Sequence, residues 1–505
     1  MHYLLRLLPI IALAPTLAAE VALSPLFGDH AVLQAGDGTA VWGTAAEGEQ
    51  VTVRVAGVEA STVAAQGRWL VRLKGLKPEV TGKDLVVQGT NTVTSHDVLV
   101  GEVWLAGGQS NMERQLGPRP PQKLIEDYEK EAAAANYPGI RYFVVPNTPQ
   151  AAPTTTLKGS WQVVTPSTIL PCSAVGYFFA RALHEARHDS VGLVVCAAGG
   201  STAQGWISRE TLLATAGLEK IVSDYDAAVE KFAKDDADWT SNGPKRTEAE
   251  AAAKAAGKPA PRAPGNPQTH YKAAITRFNG MLSPVLPLTM RGVIWYQGES
   301  NNSDPAQYEV LMPALITEWR TRFANPTLPF LTVQVAPFKG LSPEIREAQE
   351  RVARSVPHAG IVTTIDIGDA EDIHPTRKRP VGERLAVLAR QQVYGETGLI
   401  ASGPCFAGVS FDGAKAVVRF TELGGGLVAP AEGLKGFTLA GADGKFVEAQ
   451  AVIAGDTMVV TAAGISAPTA VRYAWANAPV ATLANRAGLP AFPFRSDRGK
   501  DRLER

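Results

Sequence analysis

Val103-Trp104-Leu105-Ala106-Gly107-Gly108-Gln109-Ser110-Asn111-Met112 is the stretch that decides the fold. It opens with an apolar run that does not alternate, as in a strand buried on both faces, and a glycine pair then turns the chain toward polar side chains. The same grammar recurs in VGLVVCAAGG (191–200), RGVIWYQGES (291–300), FLTVQVAP (330–337) and GIVTTIDIGD (360–369). Helix candidates lie between these runs. SAVGYFFARALHEARH (173–188) sets Val175, Phe178, Phe179, Leu183 and Ala186 on one face, with Ser173 as N-cap. AQYEVLMPALITEWRTRF (306–323) repeats the pattern through Tyr308, Leu311, Leu315 and Trp319, and EIREAQERVARSV and PVGERLAVLARQQVYG (Pro380–Gly395) complete the series. Apolar strands alternating with amphipathic helices predict an α/β fold, a parallel sheet covered on both faces.

Outward from this core the pattern changes. Residues 20–100 read as short alternating strands such as VTVRVAG (Val51–Gly57) and WLVRLKG (Trp69–Gly75), punctuated by glycine turns, which predicts a β-sandwich. The core then spans 101–400, and residues 401–505 return to strands in a C-terminal β-rich domain. Within the core, about 211–269 breaks the alternation with a charged helix (Leu218–Lys234), an Ala/Lys/Glu-rich run and the loop GKPAPRAPGNP (257–267). It reads as a partly helical insertion, a solvated cover over one edge.

Composition narrows the function classes. The chain has 505 residues with 49 Lys+Arg against 49 Asp+Glu, and a formal charge of zero argues against a nucleic-acid partner. Three scattered cysteines, Cys172, Cys196 and Cys405, make neither a disulfide scaffold nor a zinc module. His184 and His188 stand four apart on a helix but lack a third ligand, so no metal is expected. Residues 1–19, MHYLLRLLPIIALAPTLAA, have the build of a secretory signal peptide cleaved after Ala18 or Ala19. Its removal takes away Arg6 and leaves one net negative charge. An exported, periplasmic or extracellular protein with no membrane attachment after cleavage follows. In that oxidising setting at least one cysteine stays unpaired; Cys196 fits a buried strand thiol, and Cys172 with Cys405 is a candidate pair.

Ligands of open parallel sheets bind at the carboxyl ends of the strands. Those ends carry Gly107-Gly108-Gln109-Ser110-Asn111, Gly199-Gly200-Ser201-Thr202, Gln297-Gly298-Glu299-Ser300-Asn301, and Asp366, Asp369, Glu371 and Asp372 before His374-Pro375. A serine on a tight turn, a histidine, carboxylates and several donors form a serine-nucleophile inventory. The GxSxG elbow is absent, because Met112 stands where its second glycine would be.

At these residues the chain resembles the sialate O-acetylesterase-like branch of the SGNH hydrolases. GGQSNM, AAGGSTAQGWIS, GVIWYQGESN and DIGDAEDIHPTRK are similar to that family's blocks and stand in its order. The flanking β segments resemble it too, whereas the 211–269 insertion does so far less. The resemblance implies a three-layer α/β/α SGNH core and a metal-free, cofactor-free carbohydrate O-acetylesterase acting on an O-acetylated carbohydrate, either acetylated sialic acid or a plant cell-wall glycan such as xyloglucan or xylan. It further implies Ser110 as nucleophile, His374 as general base and Asp372 as the orienting acid. Glu371, three residues before the histidine, and Asp369 are fallbacks. The oxyanion hole would draw on the backbone N–H of Ser110, that of Gly200 or Gly199, and the Gln297 amide. Gln109, Asn111, Arg114, Trp206, Glu299 and Asn301 are candidate substrate contacts. A monomer is expected, with oligomers open. The competing readings are a carbohydrate-binding protein with a vestigial triad, and a lipid thioesterase of the same superfamily.

Overall fold

The structure, a computed structural model, describes residues 20–498. The expected signal peptide, residues 1–19, lies outside the described residues. Strands β1 (Thr92–Gly108), β2 (Tyr137–Val144), β3 (Trp161–Val164), β4 (Val191–Ala197), β5 (Gly292–Tyr296), β6 (Phe330–Val333) and β7 (Ala359–Val362) form the central sheet in the order β3-β2-β4-β1-β5-β6-β7. All neighbours are parallel except β3, which runs antiparallel on the edge. The five apolar runs supply β1 and β4–β7. The β2–β3 pair is additional to the sequence reading.

Both faces of this sheet are covered. Val103 and Leu105 of β1 join one apolar cluster, Trp104 and Ala106 the other. That is the period-two split of a strand sandwiched between layers. Helices α2 (Ala174–Arg187) and α7 (Arg379–Gln392) pack on the Trp104 face; α5 (Pro305–Arg322) and α6 (Pro343–Ser355) pack on the Leu105 face. The N-terminus of α2 is capped as expected, with Ser173 Oγ accepting from the Gly176 N–H. Its buried face carries Val175, Phe178, Phe179 and Leu183, but Ala186 is exposed. The last turn of α2 runs out over solvent.

β1 explains how the N-terminal strands join the core. Its first half pairs antiparallel with Glu79–Gln88, while its second half lies inside the parallel sheet. The boundary expected after residue 100 therefore falls within a continuous strand. A second, three-stranded sheet (Ala22–Leu23, Thr39–Thr44, Arg68–Leu73) packs nearby through Trp69 and Val71. Beyond the core, Cys405–Asp412, Lys415–Thr421, Gln450–Ala454 and Thr457–Thr461 make one four-stranded sheet, with a separate apolar cluster around Phe437, Tyr473 and Phe494. The 211–269 stretch forms α3 (Glu219–Ser241) and α4 (Gly243–Ala255), exposed helices that bury Val222 and nothing, respectively. No helix among the described residues is long and apolar enough to cross a membrane.

All three cysteines are free and buried, which corrects the suggested Cys172–Cys405 pair. Cys172 lies in the Trp104-face cluster, Cys405 in a small cluster with Ala353, Ile361 and Phe492. Burial pushes the Cys172 and Cys196 thiols up, so both are neutral, inert packing groups.

Candidate active site

The strand ends converge because the register aligns them. Gly108 pairs with Ala197 on one side and Tyr296 on the other, and the Ala198 N–H donates to the Gly108 carbonyl over 3.0 Å. Gly108 has φ of +132°, and a Cβ there would stand 2.2 Å from the Tyr296 carbonyl oxygen. Only glycine allows both that backbone turn and that approach. The turn delivers Ser110 to the first position of the short helix α1 (Ser110–Glu113), where its side chain is part-exposed.

His374, on the loop after β7, meets it. The Ser110 Oγ and His374 Nε2 are 2.9 Å apart. Asp372 turns back under the imidazole: its Oδ1 accepts the His374 backbone N–H at 2.9 Å and lies 3.7 Å from Nδ1. The other two carboxylates are engaged elsewhere. Asp369 pairs with Lys123 at 2.5 Å, and Glu371 pairs with Lys339. Of the three acids left open by the sequence, Asp372 is the one that faces the histidine. Burial is the main force holding His374 below its usual 6.5, helped by the Lys378 charge and opposed by Asp372. The imidazole is thereby neutral and able to accept a proton at neutral pH.

The candidate substrate contacts take a different place. Arg114 is buried and spends its guanidinium on the Gln115, Gly117 and Lys123 carbonyls. Trp206 is fully buried, its N–H on Ser201 Oγ and its ring edge-on to Trp295, so it offers no face to a sugar. Gln109, Asn301 and Gln297 form a buried knot. Gln109 Oε1 accepts from Gln297 at 3.2 Å and from the Ser300 N–H at 3.2 Å, and Gln297 also donates to Asn301 Oδ1 at 2.7 Å. Gln297, the expected oxyanion donor, is fully buried; its amide N–H groups face protein acceptors, and its Oε1 has no partner among the described residues. Asn111 and Glu299 are likewise buried and linked at 2.6 Å. These polar residues brace the strand-end turns through the bonds they exchange, while Gln297 Oε1 and Glu299 Oε2 have no partner among the described residues.

Two groups of residues have no role in the sequence reading. Lys378 is buried and donates to Asn111 Oδ1 at 2.5 Å. Burial brings its ammonium down to about 7, with Glu299 pulling the other way. Burial pushes the Glu299 carboxyl up, against the Asn111 bond and the Lys378 charge. Lys378 stands in the quoted DIHPTRK block, but inside Arg377-Lys378-Arg379 it looks like solvated surface charge. The second group lines the rim. A Cβ on Gly199 would stand 2.8 Å from Glu113 Oε2 and 3.7 Å from Ser110 Cβ, so the Glu113 carboxylate lies beside the serine. Arg119 binds Glu113 at 3.0 Å, and the exposed Tyr271 ring lies against Gly200.

A hydroxyl on a strand-to-helix turn, a neutral imidazole in contact with it and a carboxylate behind define a class, the acyl-transfer hydrolases built on an α/β sheet. The profile of the carbohydrate esterase family described as sialic acid-specific acetylesterase matches residues 100–237 and 255–391. The chain belongs to that family, and it is a carbohydrate O-acetylesterase. Rat sialate O-acetylesterase (Rattus norvegicus) is 29% identical over 409 residues, covering 73% of this chain and 72% of the rat protein. The human protein of that name (Homo sapiens) is 26% identical over 411 residues, covering 73% and 70%. Among solved structures, a carbohydrate acetylesterase from Xanthomonas citri is 35% identical and superposes with a TM-score of 0.79, covering 94% of this chain and 99% of its own.

Proposed function

We propose that the enzyme is a secreted serine esterase of SGNH type that removes acetyl groups from carbohydrates through an acetyl-Ser110 intermediate. The observation that carries this reading is the 2.9 Å contact between Ser110 Oγ and His374 Nε2, with Asp372 directly behind. Ser110 Oγ attacks the acetyl carbonyl while His374 takes its proton. His374 then returns that proton to the departing sugar oxygen, leaving acetate esterified to Ser110. Water, deprotonated by the same imidazole, releases the acetate. Asp372 stabilises the imidazolium that forms in each half. The backbone N–H groups of Ser110 and of Gly200 or Gly199 are the oxyanion donors, each typically worth ~2.7–4 kcal/mol of transition-state stabilisation. The chemistry as written uses no metal or cofactor.

Export through residues 1–19 and a division at about 20–100, 101–400 and 401–505 remain part of this reading. Burial of Arg114, Trp206 and the Gln109–Asn301 knot moves substrate contact to the rim, to Glu113, Arg119 and Tyr271. A carboxylate paired to a guanidinium suits sugar hydroxyls, which accept from one and donate to the other. The substrate is an acetylated sugar, from acetylated sialic acid to xyloglucan or xylan. Acetate release from a panel of these, together with an aryl acetate, by wild type and Ser110→Ala tests the proposal. Release by the wild type and at least ~10³-fold loss in the variant are expected. Release that survives the substitution removes Ser110 from the mechanism.

A further inference from the structure

A buried lysine and a buried glutamate lie beneath the Ser110–His374 contact without touching each other; Asn111 bridges them. Lys378 Nζ donates to Asn111 Oδ1 at 2.5 Å, and Asn111 Nδ2 donates to Glu299 Oε1 at 2.6 Å and to the Ile373 carbonyl at 3.0 Å. Asn111 is the residue after the serine, and Ile373 is the residue before the histidine. One side chain therefore clamps the nucleophile turn to the histidine loop, and its own orientation is dictated at both ends. An amide held between an ammonium and a carboxylate has no ambiguity in which atom points where: oxygen to lysine, nitrogen to glutamate. Burial of both ions is costly unless each is hydrogen-bonded and balanced, so a role beyond stability is a reason for such a pair to be present.

We infer that Lys378, Asn111 and Glu299 form a positioning unit that fixes the Ser110 turn against the His374 loop and sets the electrostatic field at the imidazole. The inference rests on the esterase reading above. None of the three touches the reacting atoms; each acts through Ser110 or His374. The charged groups facing His374 are Asp372 on its own loop, Lys378 at the start of α7, and Arg114 and Arg119 from the segment after α1. Those facing Lys378 are Glu299, Arg114 and Asp372, with the Tyr296 ring 5.6 Å away. Lys378 lowers the basicity of His374, and Glu299 favours the charged form of Lys378. Removing either Lys378 or the Glu299 charge consequently raises His374. Two opposite charge changes are expected to move the same titration in the same direction, which a purely local effect of each charge on the imidazole would not do.

The test uses the full chain, with an aryl acetate and an acetylated sugar as substrates. Lys378→Met and Glu299→Gln are compared with wild type for kcat, KM, the pH profile of kcat/KM and thermal stability. Lys378→Met should lower kcat about 10–100-fold with KM within about threefold, the scale expected when reacting groups lose their alignment. The acid limb should move to higher pH in both variants. If a single variant leaves too strong an uncompensated charge to fold, the double variant removes both ions and keeps Asn111, and its profile should show the same upward shift. If the variants lose thermal stability while kcat and the acid limb stay at wild-type values, the unit is structural support and the inference is wrong. Acid limbs that move in opposite directions overturn the field argument as well. Ser110→Ala in the same assay separates the two layers, since activity surviving there defeats the esterase mechanism itself, whatever the Lys378 variants do.

Discussion

An unassisted serine hydroxyl is a poor nucleophile at neutral pH, so the proposed mechanism depends on how the imidazole beside Ser110 is held. Burial depresses the basicity of His374, and the acid limb of kcat/KM should have its midpoint below 6.5, the ordinary value. A midpoint at or above that value in the wild-type profile contradicts the burial argument. Asp372 and Glu371 can be separated by substitution. Asp372 faces the histidine and Glu371 is tied to Lys339 on the surface. Asp372→Asn should therefore cost on the order of 10²–10⁴ in kcat, whereas Glu371→Gln should stay within about twofold. A larger loss for Glu371→Gln would move the acid role. At this scale the sequence was legible where a residue type is rare at a strand end, as with His374, the one histidine at those ends, which the structure sets against Ser110. It was not legible where polar residues are buried by pairing with one another. Gln109, Asn111, Gln297 and Asn301 look like solvent-facing turn residues until the tertiary contacts show that they are buried and bonded to protein groups.

The turns that carry these residues depend on close approaches between elements. Gly108→Ala forces a Cβ to 2.2 Å from the Tyr296 carbonyl and a side chain onto a φ of +132°. Calorimetry should show a loss of ~2–4 kcal/mol or failure to fold; a neutral result would mean that the β1–β5 register is wrong. Ser173 joins two elements, since its Oγ caps α2 and donates to the Met112 carbonyl of α1 at 2.6 Å. Ser173→Ala should cost about 1–2 kcal/mol in urea unfolding at unchanged m-value. The helices of the core were readable because each buries one stripe. β2 was not, because Pro138-Gly139 follow its first residue and it mixes Arg141 with aromatic residues. Arg141 is nonetheless buried, held by Asp97 at 2.9 Å, an ion pair that no local pattern announces.

At the scale of the molecule, the two faces of one sheet and the long β1 strand tie the N-terminal strands into the core. The family match breaks between residues 237 and 255, within the exposed helical insertion. Because α4 buries no residue, excising it with a short Gly/Ser bridge should leave hydrolysis of a small aryl acetate within about twofold of wild type. A collapse of that activity would give the insertion a part in building the site. The most direct measurement is made on the chemistry. Wild-type enzyme mixed with an acetyl ester, quenched during turnover, digested and analysed by mass spectrometry should carry one acetyl group on the peptide containing Ser110, and that peptide should be unmodified in Ser110→Ala. An acetyl group found on another residue, or none under conditions where a pre-steady-state burst of product is seen, contradicts the acetyl-Ser110 mechanism.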